Sequence, residues 1–306
     1  MFGRLVGGVS SGVGRVGSGV SSVVDDVVDI LDVIEIVPYI SYATGGNVRV
    51  LGRVQENRAA HPFVATPSSL GKAAYLDRGP QQAVSAKEVA LEIYPDPKPN
   101  AEVEINVNGY RHVSVTDKHG YYDCTFPGNL PIQVVTGTVT LKKLKGKPAK
   151  PVTVSFPIVV SDPSKNRFGV ISDIDDTILQ SDVTNPMFLF YNTVFQNPQR
   201  RKPTTGTLDF YHTLHNGFAE ETNPFFYISN SPWTLYRRLR TFIEHKQFPL
   251  GPILLRELSV AELQNSMHKK TTITRILADF PHLQFVLIGD SGEKDLQIYQ
   301  VWYIVR

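Results

Sequence analysis

Apolar residues near the start of the chain recur every three and four positions: Val6, Val9, Val13, Val16, Val20, Val23, Val27, Ile30 and Ile34. That spacing predicts a helix with a single apolar seam. Pro38 ends the pattern, and the segment is read as 1–46. Gly, Ser and two Arg fill the other faces as far as Ser22, and Asp25, Asp26, Asp29, Asp32 and Glu35 follow. Each glycine weakens a helix by about 1 kcal/mol relative to alanine, but it also lets a neighbour approach closely. The seam is therefore expected to pack on its own domain, to self-associate with a copy of itself, or to lie in a membrane interface. Gly12–Gly17 fits G-x-G-x-x-G and Gly8–Gly12 fits G-x-S-x-G. Both motifs need a preceding strand, and a helical pattern stands there instead.

From Asn47 the period changes from helical to two. Val48–Val54 alternates in part and Ala101–Val107 alternates cleanly, with Asn108-Gly109 offering a tight turn. Val113–Asp117 and Tyr121–Phe126 flank Lys118-His119-Gly120, a second hairpin signal, and Thr138–Leu144 and Val152–Val160 read as further strands. Short alternating strands with Gly/Asn turns predict a small β-sandwich-like domain over 47–163. No catalytic constellation stands out in it, so a packing or positioning role is expected.

In 164–306 short apolar runs alternate with helical patterns, which predicts α/β structure with a mostly parallel sheet. Buried strands are expected at 167–172, 224–228 and 285–288, and helices at about 232–246 and 271–280. The chain has 306 residues, enough for about two domains. Its net charge of +2 gives no reason to expect a nucleic-acid partner. Cys124 is the only cysteine, so no intrachain disulfide can form; a reducing, cytoplasmic setting is expected. No apolar run reaches 18 residues and no continuous apolar stretch follows the first residues, so neither a transmembrane helix nor a cleaved signal peptide is expected.

The candidate chemistry lies at the ends of the predicted strands. The first runs into Asp173-Ile174-Asp175-Asp176-Thr177. In a doubly wound sheet the carboxyl ends of the strands form the active-site crevice. Two carboxylates two residues apart can divide the work there, one attacking phosphorus and the other handling protons. Together they also offer hard oxygen ligands for Mg²⁺. An EF-hand reading fails, since Ile178 stands where Gly is needed and Thr184 where the bidentate Glu belongs. The second strand ends at Ser229-Asn230-Ser231-Pro232, where Ser or Asn would cap a helix opened by Pro232 and an anion could bind its N–H groups. His268-Lys269-Lys270 opens the next helix, and Lys269 can pair with a nucleophilic carboxylate and a phosphoryl oxygen. The third strand ends at Gly289-Asp290, with Asp295 five residues on, two acids able to complete a Mg²⁺ site.

In order, D-x-D-x-T, a strand-end Ser, a Lys and G-D-x-x-x-x-D resemble the four motifs of the haloacid dehalogenase superfamily. More narrowly, Ser172–Ile178, Phe226–Trp233, Phe248–Pro252 with Leu255-Arg256, and Phe285–Glu293 look like the catalytic domain of the actin-patch type phosphatidate phosphatases. The resemblance covers roughly residues 167–299. It implies a haloacid-dehalogenase-like Rossmannoid parallel sheet, here preceded by the β-sandwich-like domain. It also implies Mg²⁺-dependent hydrolysis of phosphatidate to diacylglycerol and phosphate through an aspartyl-phosphate. Carried over by motif, Asp173 is the nucleophile and Asp175 the general acid/base. Ser229, Asn230 and Lys269 hold the phosphoryl group. Asp173, Asp175 and Asp290 are metal ligands, with Asp295 in support. Members of that family continue past the Asp295 helix into a further helix and strand, so this ending is expected to be truncated.

The motifs do not read the substrate. Phosphatidate or a related phospholipid at a membrane surface is the first expectation, reached by a cytoplasmic protein that associates peripherally. A soluble phosphate ester and a non-catalytic scaffold are the alternatives. The insert 179–223, with Phe188, Phe190, Tyr191, Phe195 and Arg200-Arg201-Lys202, suits either a lipid or a small cap over the site.

Overall fold

The computed structural model describes residues 34–56, 96–131, 134–174, 177–178, 206–217, 222–257 and 267–289. The valine seam through residue 33 lies outside the described residues, as do Asp175, Asp290, Asp295 and insert residues 179–205.

Residues 34–38, expected as the last turn of a helical pattern ended by Pro38, are extended instead. Ile34–Pro38 forms β1 and Ser41–Ala43 forms β2. Both pair antiparallel with β3 (Asn47–Glu56), β1 running from Ile34↔Glu56 to Pro38↔Gly52. The β-branched Ile34, Ile36 and Val37 suit a pleated surface better than a helix. The neighbouring strand supplies the hydrogen bonds that a helix would otherwise have to find within itself.

The β-rich part continues with β4 (Glu102–Val107), β5 (Tyr110–Val115), β6 (Tyr121–Pro127), β7 (Val135–Leu144), β8 (Lys147–Pro148) and β9 (Thr153–Val160). These nine strands form one hydrogen-bonded sheet, ordered β1-β3-β2-β9-β7-β4-β5, with β6 also on β3 and β8 on β7. All its pairs are antiparallel except β2 with β9. Alternation buries Val103, Ile105 and Val107 of β4 with Val48, Val50 and Val54 of β3, Val139 and Leu141 of β7, and Phe156 and Ile158 of β9, so the sheet curls round a single core.

Asn108 and Gly109 both have positive φ, 48° and 88°, as a two-residue hairpin turn of this hand requires. The expected hairpin at 118–120 is different. The chain does turn there, with the Asp117 N–H donating to the Tyr121 carbonyl at 2.8 Å. But β5 pairs with β4, whereas β6 crosses to β3 in the register Asn47↔Pro127 to Arg53↔Tyr121. Turn residues mark the reversal but not the partner, which here is the strand that completes the core.

The second sheet has four parallel strands: β10 (Phe168–Asp173), β11 (Phe225–Pro232), β12 (Ile253–Arg256) and β13 (Gln284–Ile288). β10 is buried almost throughout, as a parallel strand covered on both faces must be. Between the strands run α1 (Thr207–Asn216), a short 3₁₀ turn at 233–235 leading into α2 (Tyr236–His245), and α3 (His268–Asp279). The spatial order β12-β11-β10-β13 reverses direction at β10. In an open α/β sheet such a reversal opens a crevice at the carboxyl ends of the two strands that flank it, here β10 and β13. The core of this sheet also takes in Val37, Tyr39, Tyr42 and Leu51 from the β-rich part.

Candidate active site

Asp173 is the last residue of β10, at the carboxyl end beside the reversal point, and is 1% exposed. The loop beyond it is anchored by Ile174 and Ile178, both fully buried, with the Ile178 N–H donating to the Ile174 carbonyl at 3.1 Å. Thr177 Oγ1 donates to Asp173 Oδ2 at 3.4 Å. Lys269, the second residue of α3, brings Nζ to 2.8 Å from Asp173 Oδ1. Its side chain is 2% exposed and that of Asp173 is 0% exposed. Two opposite charges so far from water offset each other's desolvation.

The start of α3 is otherwise a poor place for cations. The helix opens His268-Lys269-Lys270 with no acid in its first turn and no side-chain cap. Positive charge there opposes the helix dipole. His268 responds by staying neutral: burial, aided by the charges of Arg256 and Lys269, pushes its imidazole down to about 4 against a hydrogen bond to the Leu254 carbonyl. Its Nε2 is buried and meets no hydrogen-bond partner among the described residues.

Ser229 stands one residue beyond Ile228, which pairs with Asp173 on the neighbouring strand. It is fully buried. The predicted cap differs in detail. Pro232 occupies the N-cap of the 3₁₀ turn, no side chain caps it, and Ser229 Oγ accepts the N–H of Ser231 at 2.8 Å. The serine thus ties its own loop, where β11 breaks register between Ile228 and Pro232. Asn230 in the same loop is half-buried.

A strand and a tyrosine contact were not expected from the sequence, although Leu255-Arg256 belongs to the resemblance. Arg256 ends β12, a strand not predicted, and pairs in register with Pro232. Tyr211 of α1 lies within the insert treated as a possible cap. Its hydroxyl is 2.6 Å from Ser172 Oγ, which in turn donates to the carbonyl of Asp173 at 2.7 Å. Burial pushes this tyrosine up to about 12, opposed by the Ser172 hydrogen bond and helped by the negative charge of Asp173. It therefore remains a donor at neutral pH. The signal available was Tyr211 at the centre of an amphipathic stretch, but nothing in the stretch names Ser172 as its partner.

The structure thus brings together Asp173, Lys269 and the Ser229 loop at the carboxyl edge of the parallel sheet. Asp175 follows two residues beyond Asp173, and Asp290 directly follows Gly289 beyond β13.

The fold is that of an α/β domain, with a buried carboxylate–lysine pair at its topological reversal as the candidate active site. The comparisons make this specific. Residues 168–304, beginning at the first residue of β10, match the family described as phosphatidate phosphatase APP1, catalytic domain. The chain is 36% identical over 156 residues to phosphatidate phosphatase APP1 of Saccharomyces cerevisiae, covering 49% of this chain and 26% of that protein. It is 30% identical over 141 residues to an uncharacterized protein of Schizosaccharomyces pombe, covering 44% of this chain and 22% of that one. The chain spans about a quarter of the length of these curated relatives. No helix among the described residues is long and apolar enough to cross a membrane.

Proposed function

We propose that the protein is a Mg²⁺-dependent phosphatidate phosphatase of haloacid-dehalogenase type. The observation that carries this reading is the 2.8 Å contact between Lys269 Nζ and Asp173 Oδ1 at the carboxyl end of β10. Asp173 Oδ2 attacks phosphorus and the P–O bond to the diacylglycerol oxygen breaks, which leaves an aspartyl-phosphate. Asp175 donates the proton that the leaving alkoxide needs. It then takes a proton from the water that attacks phosphorus, releasing phosphate and restoring the Asp173 carboxylate. The Lys269 ammonium offsets negative charge as two anions approach one another, in a site that excludes water and so strengthens the attraction. The Ser229 hydroxyl, whose oxygen accepts the Ser231 N–H, lies on the loop that would meet a phosphoryl oxygen.

The donor set suits Mg²⁺. Asp173 ends β10; Asp175 follows it by two residues in sequence, Asp290 follows the last residue of the neighbouring β13 by two, and all three are hard carboxylates, with Asp295 a further acid nearby in sequence. Bound there, Mg²⁺ would neutralise phosphoryl charge as a Lewis acid. The affinity for phosphatidate follows from the family and from its Saccharomyces relative rather than from any motif that reads a lipid.

The test is release of inorganic phosphate from phosphatidate in mixed micelles, beside a panel of soluble esters, with Mg²⁺ and with EDTA. Wild type should turn over phosphatidate only with the metal, and Asp173→Asn should not. Full activity in Asp173→Asn would remove the nucleophile assignment. A preference for a soluble ester would move the substrate assignment while keeping the chemistry.

A further inference from the structure

The β-rich sheet grips α3, which carries Lys269, and the segment that follows Ser229. Arg275 and Asp279 lie one turn apart on α3, the helix whose second residue is Lys269. Tyr42 of β2 donates its hydroxyl to Asp279 Oδ2 at 2.5 Å. The same hydroxyl accepts from Arg49 of β3 at 2.8 Å. Arg49 forks onto Asp123 of β6, with Nε to Oδ1 at 3.0 Å and a terminal nitrogen to Oδ2 at 2.8 Å. Asp123 Oδ2 then accepts from Arg275 at 3.1 Å, returning the chain of bonds to α3. Burial pushes the Tyr42 hydroxyl well above its ordinary value, so it stays protonated as the donor that this ring of contacts needs. Around the ring, Tyr42 packs edge-on against Phe226 of β11 at 5.3 Å and leans on Phe280 at 5.8 Å.

The second grip falls on the loop that carries Ser229. Tyr39 stacks on Trp233, four residues beyond Ser229, at 4.4 Å and 4° between planes. The Ile40 N–H donates to the Tyr236 hydroxyl at 2.6 Å, and Glu35 pairs with Arg237 at 2.5 Å.

We infer that the β-rich sheet is a positioning clamp for the catalytic site: the Tyr42–Arg49–Asp123 set holds α3 through Arg275 and Asp279 and so fixes Lys269 against Asp173. The physical argument is leverage. α3 starts without a side-chain cap and with cations at its positive end. A closed ring of charge-assisted bonds is stiff, and it holds the third turn of a rigid rod whose first turn delivers Lys269. A shift of about 1 Å at a catalytic group can cost as much as a hundredfold in rate, so a brace at this distance is felt at the chemistry. None of the clamp residues touches substrate; they are positioning residues. The consequence for rate rests on the phosphatase reading, whereas the mechanical claim does not.

The test uses the full chain with Tyr42→Phe, which removes one hydroxyl but leaves the ring packed, and Arg49→Met, which leaves Asp123 its Arg275 partner. Val139→Ala, in the core of the β-rich sheet away from the clamp, serves as the stability control. Amide hydrogen exchange is followed in α3 and in α1, which the clamp does not touch. Exchange in α3 should speed up about tenfold in both clamp variants, with α1 unchanged. kcat for phosphate release should fall about tenfold at unchanged KM, while Val139→Ala lowers Tm yet keeps kcat. Unchanged α3 exchange in Tyr42→Phe and Arg49→Met would overturn the proposal. So would an equal kcat loss in Val139→Ala at matched loss of Tm. Should wild type release no phosphate from any ester, the phosphatase reading fails, and α3 exchange alone decides the clamp.

Discussion

Lys269 reaches Asp173 at 2.8 Å from the first turn of α3, where a cation opposes the helix dipole and where only 1% of either residue is exposed. Neither placement favours folding by itself. Each buried charge offsets the other, so losing one alone should cost more than losing both.

A double-mutant cycle follows from that relationship. Lys269→Met should cost about 3–5 kcal/mol because it strands a buried carboxylate, and Asp173→Leu should cost as much by stranding the ammonium. The double variant should recover most of the loss, to within about 1 kcal/mol of wild type or better. Urea unfolding of the four proteins gives the coupling. Additive losses would mean that the two side chains do not share one buried environment. All three variants should be inactive.

His268 predicts an acid-sensitive step. Its folded value, near 4, lies below the ordinary 6.5, so the folded state favours the neutral ring. The stability this represents is present above pH 6.5 and is lost as pH falls towards 4, by about 3 kcal/mol in all. His268→Gln should flatten that part of the stability curve relative to wild type. An NMR titration in which the ring gains its proton near 6.5 would contradict the burial seen here.

Tyr211 sets the opposite limit. Burial raises it from 10 to about 12, so its contribution is complete below pH 10 and fades as pH climbs to 12. Tyr211→Phe should cost about 1 kcal/mol at neutral pH through the lost bond to Ser172. It should also show a shallower alkaline decline than wild type when both are followed by circular dichroism. Identical alkaline curves would remove Tyr211 from the groups that govern that limb.

Gly251 tests the approach to β12. A Cβ built there would meet the Phe225 carbonyl oxygen at 2.1 Å, a backbone atom that cannot swing aside. Gly251→Ala should therefore push β11 and β12 apart and cost about 1–3 kcal/mol or more. Thermal melts would show it as a loss of several degrees; a neutral Tm would mean that the strands separate freely.

Much of the catalytic sheet was readable in advance because parallel strands buried on both faces are written as continuous apolar runs. Val170 and Ile171 lead into Asp173, and Phe225–Ile228 into Ser229, and the candidate site residues stand where those runs stop. The Pro38 boundary misled because Ile30 and Ile34 satisfy a helical period, while Ile34, Ile36 and Val37 satisfy a strand equally well. Four residues cannot decide between periods when a neighbouring strand is waiting to pair. β12 went unrecognised because Ile253–Arg256 is only four residues long and follows a Gly-Pro turn.

The sequence by itself determined which residue types stand at the strand ends and in what order, since local pattern dictates where a buried strand must finish and a polar loop begin. Which of them meet was decided only by the tertiary structure. Asp173 and Lys269 are 96 positions apart in the chain, and nothing local to either specifies the other. The same is true of Tyr42, Arg49, Asp123, Arg275 and Asp279, which read singly as surface or core residues. They become a clamp because the curled β-rich sheet and the parallel sheet bury their shared face as one core, and that packing brings their polar ends within hydrogen-bonding reach.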